Sequence, residues 1–436
     1  MVENKVNEKQ PSGFFYDYEN KPVTEEKLLR GWTDNFYIML GLYISGFMVM
    51  TAGVLVGSGV SFLNLFIGSI IGNIIVVTLM ILVGIIGVKY RLSTPILLEK
   101  TFGEYGAKIF NIVLTFFILA WAALGTNMFA WAITDVTGLS IYITGLISLA
   151  LIWITSVAGY KVVSVFSKAT VPWHIILFTI LGVYYGITIH WNAWGHLTSF
   201  GGYFGSGIDS IWIVASFFVG LNIMASFLTP NITRYAKTVK DVVIGYSLSI
   251  AIGMIGMYLV LMPLVMAVLP WTATYVDPFK VGMLAAGVIG GVFVLFCIWT
   301  TASEDFWHAS LTIFQSYKKI PRWIYHTAAI ITAIILIWAG LINYYVYYVE
   351  FLGVLWPSIP GILISHYLIL PKIKRIDFNK FKSIKLNIAG YITWIISVVI
   401  IYFISSIPFY ALWGFIFGLL LYIGFAYILY KNSGGE

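Results

Sequence analysis

The chain reads as an all-α polytopic membrane protein with about twelve transmembrane helices, and three observations predict it. Of its 436 residues, 60% are hydrophobic and only 10% charged, whereas soluble domains carry about 25% charged residues. Apolar runs of about twenty residues, the length a helix needs to cross a bilayer, recur from end to end. These runs are continuous, not alternating apolar with polar as the strands of an outer-membrane barrel do.

Hydropathy places the spans near residues 35–60, 63–88, 108–136, 139–159, 170–190, 209–232, 242–268, 283–308, 323–343, 345–370, 387–405 and 408–430. Residues 1–33 form a polar tail without the basic start and short apolar core of a secretory signal. The expected organisation is that tail, one transmembrane domain over 34–430, and a short tail over 431–436. Within the domain, 34–190 is a first repeat, 209–370 a second, and 387–430 two added helices.

Charge sets the expected orientation. With the amino terminus inside, all but Lys280 of the 25 Lys and Arg residues fall on cytoplasmic segments, a strong positive-inside bias. Both termini are therefore expected in the cytoplasm, with the chain multi-pass in the cell membrane. The net charge of +7 faces an anionic leaflet, and no soluble basic domain exists to bind nucleic acid. Cys297 is the single cysteine, which excludes an internal disulfide and a thiolate cluster. HExxH, GxSxG and paired carboxylates are missing, and His174, His190, His196 and His326 are scattered, so catalysis is not expected. No cofactor is expected.

Spans 1 and 6 carry the helix-weakening residues: Gly46, Gly53, Gly57 and Gly59 in the first, Gly220, Asn222 and Pro230 in the second. Interrupted segments at matching places in two halves point to a transporter binding site, because unwound backbone offers its carbonyls and amides to a ligand. Their separation by five spans predicts a five-plus-five inverted repeat with broken helices 1 and 6. Taken singly, Gly53, Gly57 and Ser61 also fit a small-residue packing face.

Span 8, GVFVLFCIWTTASEDFWHAS, is the most informative stretch. At 100° per residue Cys297, Thr300, Thr301, Glu304 and His308 share one face, with Asp305 at its border and Trp299 opposite. An ionised acid at the bilayer centre costs about 2.5–3.5 kcal/mol, so Glu304 should face protein, a cavity or water. Threonine hydroxyls and unwound carbonyls are hard oxygen donors suited to a small cation such as Na+. A membrane threonine also bonds back to its own preceding turn.

Six segments carry a family resemblance. They are the Gly-rich first span, IIGNIIVVTLMILVGIIGVKYRLSTPILLEKTFGEYGA, AWAALGTNMFAWA, TPNITRYAK, IWTTASEDFWHAS and NYYVYYVEFLGVLWPSIPGILISHYL. In order and spacing these resemble the nucleobase:cation symporter family of purine and cytosine permeases and hydantoin and allantoin transporters. The resemblance implies cation-coupled symport of a nucleobase or related heterocycle, driven by Na+ or H+, by alternating access at a site formed by spans 1, 3, 6 and 8. It implies a monomer whose partners are a small heterocycle and the lipid bilayer.

The family's stacking tryptophan corresponds to Trp121, and Gly125 lies one turn on, where some members carry an amide. Past the break at Gly220, the span 6 contacts fall on Leu221 and Asn222, with Met224 next. The cation site corresponds to carbonyls near Gly46 and Val49 with Cys297, Thr300 and Thr301; cytosine permeases have asparagine at the Cys297 position. Glu304 departs from their asparagine-rich segment and is expected either to accept a hydrogen bond from a substrate N–H or to take up a coupled proton. A transporter of the same fold for amino acids or amines is the alternative. Glu350 and His366 are sixteen residues apart on span 10 and receive no role.

Overall fold

A bilayer offers no water to peptide groups, so a chain that crosses it must close its backbone hydrogen bonds within helices. The computed structural model describes residues 21–57, 60, 62–188, 208–256, 277–373 and 384–430, and they are overwhelmingly helical. The helices are α1 (Trp32–Tyr43), α2 (Gly46–Gly57), α3 (Phe62–Tyr90), α4 (Thr94–Phe102), α5 (Glu104–Thr137), α6 (Ile141–Ser156), α7 (Tyr160–Thr188) and α8 (Ile208–Leu228). They continue with α9 (Pro230–Thr233), α10 (Val239–Ser249), α11 (Pro278–Ser316), α12 (Arg322–Trp338), α13 (Tyr345–Leu355), α14 (Ser358–Ile364), α15 (Ile388–Phe403) and α16 (Tyr410–Tyr430). Among the described residues the only β pairing is an isolated bridge between Arg30 and Ala236.

Each expected span contains helix, and six segments among the described residues are long and apolar enough to cross a membrane. Helices α6 and α7 meet that test as a pair bent by 109°. The tail 1–20, Gly59, Ser61, His190, His196, the later part of span 7, the basic residues of 374–383 and the tail 431–436 lie outside the described residues.

Span 1 is broken where the repeat requires it. Ile44 leaves the helical region (φ −81°, ψ 76°) after α1 ends at Tyr43, and α2 restarts at Gly46. Span 6 differs from expectation in the place of its interruption: Gly220 and Asn222 lie inside the continuous helix α8, and the hydrogen-bond ladder fails at Thr229, before Pro230. Proline has no N–H for the carbonyl of Ser226, and the Thr229 hydroxyl donates to that carbonyl instead, at 3.0 Å. Gly220 serves close packing, since a Cβ there would sit 2.9 Å from the Val349 carbonyl oxygen of α13.

The packing follows the repeat. The most extensive helix contact joins α5 to α11, the third span of each half, and the next two join α3 to α8 and α1 to α10. Span 2 against 6 and span 7 against 1 exchange under the same pairing, as an inverted repeat demands. Helix α11 doubles back at Ala286 and Gly287. Gly287 has φ +57°, a conformation open to glycine, and a Cβ on Gly290 would run into the Gly282 carbonyl oxygen.

Segments expected on one side of the membrane meet one another. Arg91 donates to the carbonyls of Arg234, Ala236 and Lys237, and Lys237 N–H donates to the Arg30 carbonyl at 2.8 Å. The Tyr105 amide donates to the Lys385 carbonyl at 2.9 Å. His366, left without a role by the sequence, is a packing residue whose Nδ1 pairs with the Tyr422 hydroxyl at 2.7 Å.

At the opposite end Asp277 caps α11, accepting from the Phe279 N–H at 2.9 Å, and Lys280 lies 3.5 Å from Asp135 and 3.8 Å from Asp277. Burial, reinforced by the charge of Asp135, pushes the Asp277 carboxyl up to about 6. A carboxyl raised on folding contributes stability that is present below its unfolded pKa and is lost as pH rises through the folded value. The thermal midpoint of detergent-solubilised protein is therefore expected to fall between about pH 4 and pH 6, and Asp277→Asn, which cannot ionise, to flatten that decline. Equal slopes for the two proteins would refute the assignment.

Candidate functional site

A cavity opens at the break in span 1, bounded by α1 and α2 on one side, α5 and α8 flanking, and α11 opposite. Its volume is about 80 Å³. Met39, Leu42, Phe47, Met48, Ile118, Met224 and Leu228 give it apolar walls, and Ser45, Asn222, Thr229, Thr301, Asp305 and His308 supply the polar groups. A mostly apolar hollow with a few convergent polar side chains is the usual form of a small-molecule site.

Trp121 is held within an aromatic box. Phe47, the second residue of α2, meets it edge-on with centroids 4.9 Å apart, and Tyr348 of α13 does so at 5.2 Å. The hydroxyls of the neighbouring tyrosines point elsewhere: Tyr345 pairs with Thr51 at 2.6 Å and Tyr348 donates to the Phe117 carbonyl. Small residues make room for this box. A Cβ on Gly125 would lie 3.3 Å from the Ala302 Cβ and 3.6 Å from the Phe47 ring, so Gly125 supports the α5–α11 contact and does not line the cavity.

The other expected substrate contacts divide. Leu221, Asn222 and Met224 line the cavity and Gly220 does not, because it faces α13. The Asn222 amide donates to the Phe218 carbonyl of its own helix at 3.2 Å.

The polar stripe of α11 is split among three neighbours. Thr301, Asp305 and His308 face the cavity. Thr300 and Glu304 face α7, where Thr300 lies 3.1 Å from the Thr170 hydroxyl and Glu304 Oε1 accepts from Ser167 at 3.0 Å. Ser303 and Trp299 meet Thr155 of α6 at 2.8 and 2.9 Å. Glu304 is thus fully buried outside the cavity lining, against the expectation that it would accept from substrate. The acid in the cavity is Asp305, and from Thr300 through Thr312 it is the one residue that is not fully buried.

The expected cation positions come together in part. The Thr301 hydroxyl lies 3.2 Å from the Gly41 carbonyl oxygen and 3.1 Å from that of Cys297, and with one proton it can donate to only one of them at a time. Three hard oxygens from two helices therefore converge there. The span 1 carbonyl bonded to Thr301 is that of Gly41, and the polarity of helix ends favours it over those of Gly46 and Val49. The last turn of α1 presents unpaired C=O groups, whereas the first turn of α2, where Gly46 and Val49 lie, presents N–H groups. Gly46 packs instead on Ile298, which a Cβ would meet at 2.6 Å. Gly41 lets α1 settle between α7 and α11, where its Cβ would lie 3.1 Å from Thr300 and 3.2 Å from Val171.

Sequence reasoning missed Phe47, Ser45 and Thr229, and set Asp305 at the margin. The signals were present: Ser45 lies in the break and Phe47 just past it, and Thr229 precedes the proline.

The sequence matches, over residues 22–429, the family described as permease for cytosine/purines, uracil, thiamine, allantoin. The chain belongs to that family. This permease is 26% identical over 336 residues, 76% of each chain, to cytosine permease of Escherichia coli strain K12. Its fold is similar to that of a nucleobase-cation-symport-1 family transporter solved closed with bromovinylhydantoin bound: TM-score 0.79, 16% identity, covering 95% of this chain and 97% of the other. A Na+-coupled sialic acid symporter in a substrate-bound outward-open state is also similar, with TM-score 0.65, 14% identity and coverage of 92% and 91%. The permease is a multi-pass membrane transporter and not an enzyme.

Because Glu304 stands outside the cavity, Glu304→Gln is expected to leave heterocycle affinity unchanged in equilibrium binding, and a large loss would refute this placement. Ser167→Ala is expected to cost about 1–3 kcal/mol of stability by removing the donor to a buried carboxyl, read as a lowered thermal midpoint.

Proposed function

We propose that the permease is a secondary active symporter that carries a nucleobase or related heterocycle, coupled to Na+ or H+, by alternating access around the break in span 1. The observation that carries this reading is Trp121, edged by Phe47 and Tyr348 on the wall of a cavity at a broken helix. An indole in that setting offers a wide apolar surface to a planar ring, and stacking of a base on an aromatic side chain contributes about 1–3 kcal/mol. The oxygens of Gly41, Cys297 and Thr301 lie where α1 ends against α11. A cation there would tie the two helices together and make substrate binding depend on the ion. The protein works as a monomer of one transporter domain, with both termini in the cytoplasm as the distribution of Lys and Arg favours.

The test is uptake of labelled heterocycles into proteoliposomes under an imposed Na+ gradient and, separately, an H+ gradient. One gradient is expected to drive accumulation, and Trp121→Ala to weaken substrate affinity roughly tenfold or more. Thr301→Ala is expected to raise the cation concentration needed for half-maximal uptake while binding without the ion stays as in the wild type. Gradient-independent uptake that survives Trp121→Ala would defeat the proposal.

A further inference from the structure

Asp305 carries a carboxylate that faces an otherwise largely apolar cavity, and among the described residues it has no hydrogen-bond or ion-pair partner. Ionised, the Asp305 carboxyl only accepts. That form is costly in such a site without donors, and a ligand that brings two N–H groups to it stabilises the ionised form.

The second polar group on the same wall is His308, and its tautomer is fixed by a chain of bonds. Thr94 N–H donates to Asn231 Oδ1 at 2.9 Å, which identifies the oxygen end of that amide. The Asn231 Nδ2 group, 2.8 Å from His308 Nδ1, must then be the donor. A ring whose Nδ1 accepts carries its proton on Nε2, so His308 offers the cavity a donor. Asp305 and His308 are three residues apart on α11, which makes their side chains neighbours on one face. The wall therefore presents two acceptors and then a donor.

We infer that this permease selects heterocycles whose edge reads donor, donor, acceptor: a ring N–H flanked by an exocyclic amino group and a ring carbonyl, as in 2-amino-4-oxopyrimidines and the purines that contain that ring. Asp305 takes the two N–H groups and His308 the carbonyl. A 4-amino-2-oxopyrimidine edge reads donor, acceptor, acceptor, and a 2,4-dioxopyrimidine edge reads acceptor, donor, acceptor. Either one sets a lone pair against the carboxylate. The inference rests on the heterocycle reading above and deepens it.

The test is isothermal titration of the full-length permease in detergent with guanine, isocytosine, hypoxanthine, cytosine, uracil and thiamine. Guanine and isocytosine are expected to bind roughly ten- to a hundredfold more tightly than cytosine and uracil, the discrimination typical of one bidentate pair. Hypoxanthine, which lacks only the amino group of guanine, should be weakened without any change to the protein. Asp305→Asn converts the wall to acceptor, donor, donor and is expected to invert the order in favour of cytosine, a result that loss of folding cannot produce. Equal affinity for guanine, hypoxanthine and cytosine, an unchanged order in Asp305→Asn, or thiamine as the tightest ligand would overturn the inference. If heterocycles bind and the binding is lost in Trp121→Ala, but without this order, only the edge assignment fails. Binding of none of them would overturn the heterocycle reading as well.

Discussion

A helix broken inside a bilayer leaves carbonyls at one end and N–H groups at the other with no water to take them. In this permease the break at Ile44 and Ser45 creates that situation, and much of the neighbouring structure answers it. The carbonyl of Gly41 is met by the Thr301 hydroxyl, which requires α11 to lie against α1. Glycine at position 41 allows that approach. Asp34, near the start of α1, is held by Lys168 and Ser164 of α7 at 2.6 and 3.0 Å, so α1 is pinned while the backbone beyond it stays open.

The second interruption is managed differently. At Thr229 and Pro230 the chain keeps helical dihedrals but loses one ladder bond, and a side chain within the same turn replaces it. Thr94 of α4 donates to the next carbonyl, that of Phe227, at 2.9 Å. The two halves of the repeat are thus unequal: span 1 opens its backbone to the cavity, and span 6 contributes mainly the side chains of Leu221, Asn222, Met224, Ala225 and Leu228.

Much of the site was legible because its residues are unusual for their surroundings. A tryptophan deep in a span, a run of hydroxyls and acids in an apolar helix, and glycine clusters in spans five apart each contradict the local composition. Trp121, Asn222 and Thr301 line the cavity. Gly125, Gly220 and Gly46 do not touch the cavity, since a glycine marks either a flexible backbone or a close helix contact and the sequence does not distinguish the two. Glu304 was set in the site and Asp305 at its edge because the wheel gives a polar face but not its neighbours. A rotation of α11 by about half a residue's 100° step exchanges the two acids between α7 and the cavity.

By itself the sequence determined the helical membrane class, the order of the spans, the presence of a break in span 1 and the polar helix that faces it. Composition and periodicity are enough for these, because hydrophobic length and charge placement act through the solvent, which is the same for every span. Which carbonyl reaches Thr301, which acid looks into the cavity and which nitrogen of His308 bears the proton were decided only by tertiary structure. Each depends on contacts between helices far apart in the chain, α1 with α11, α7 with α11, and α4 with α9. A single hydrogen bond from Thr94 to Asn231 settles what no local pattern encodes.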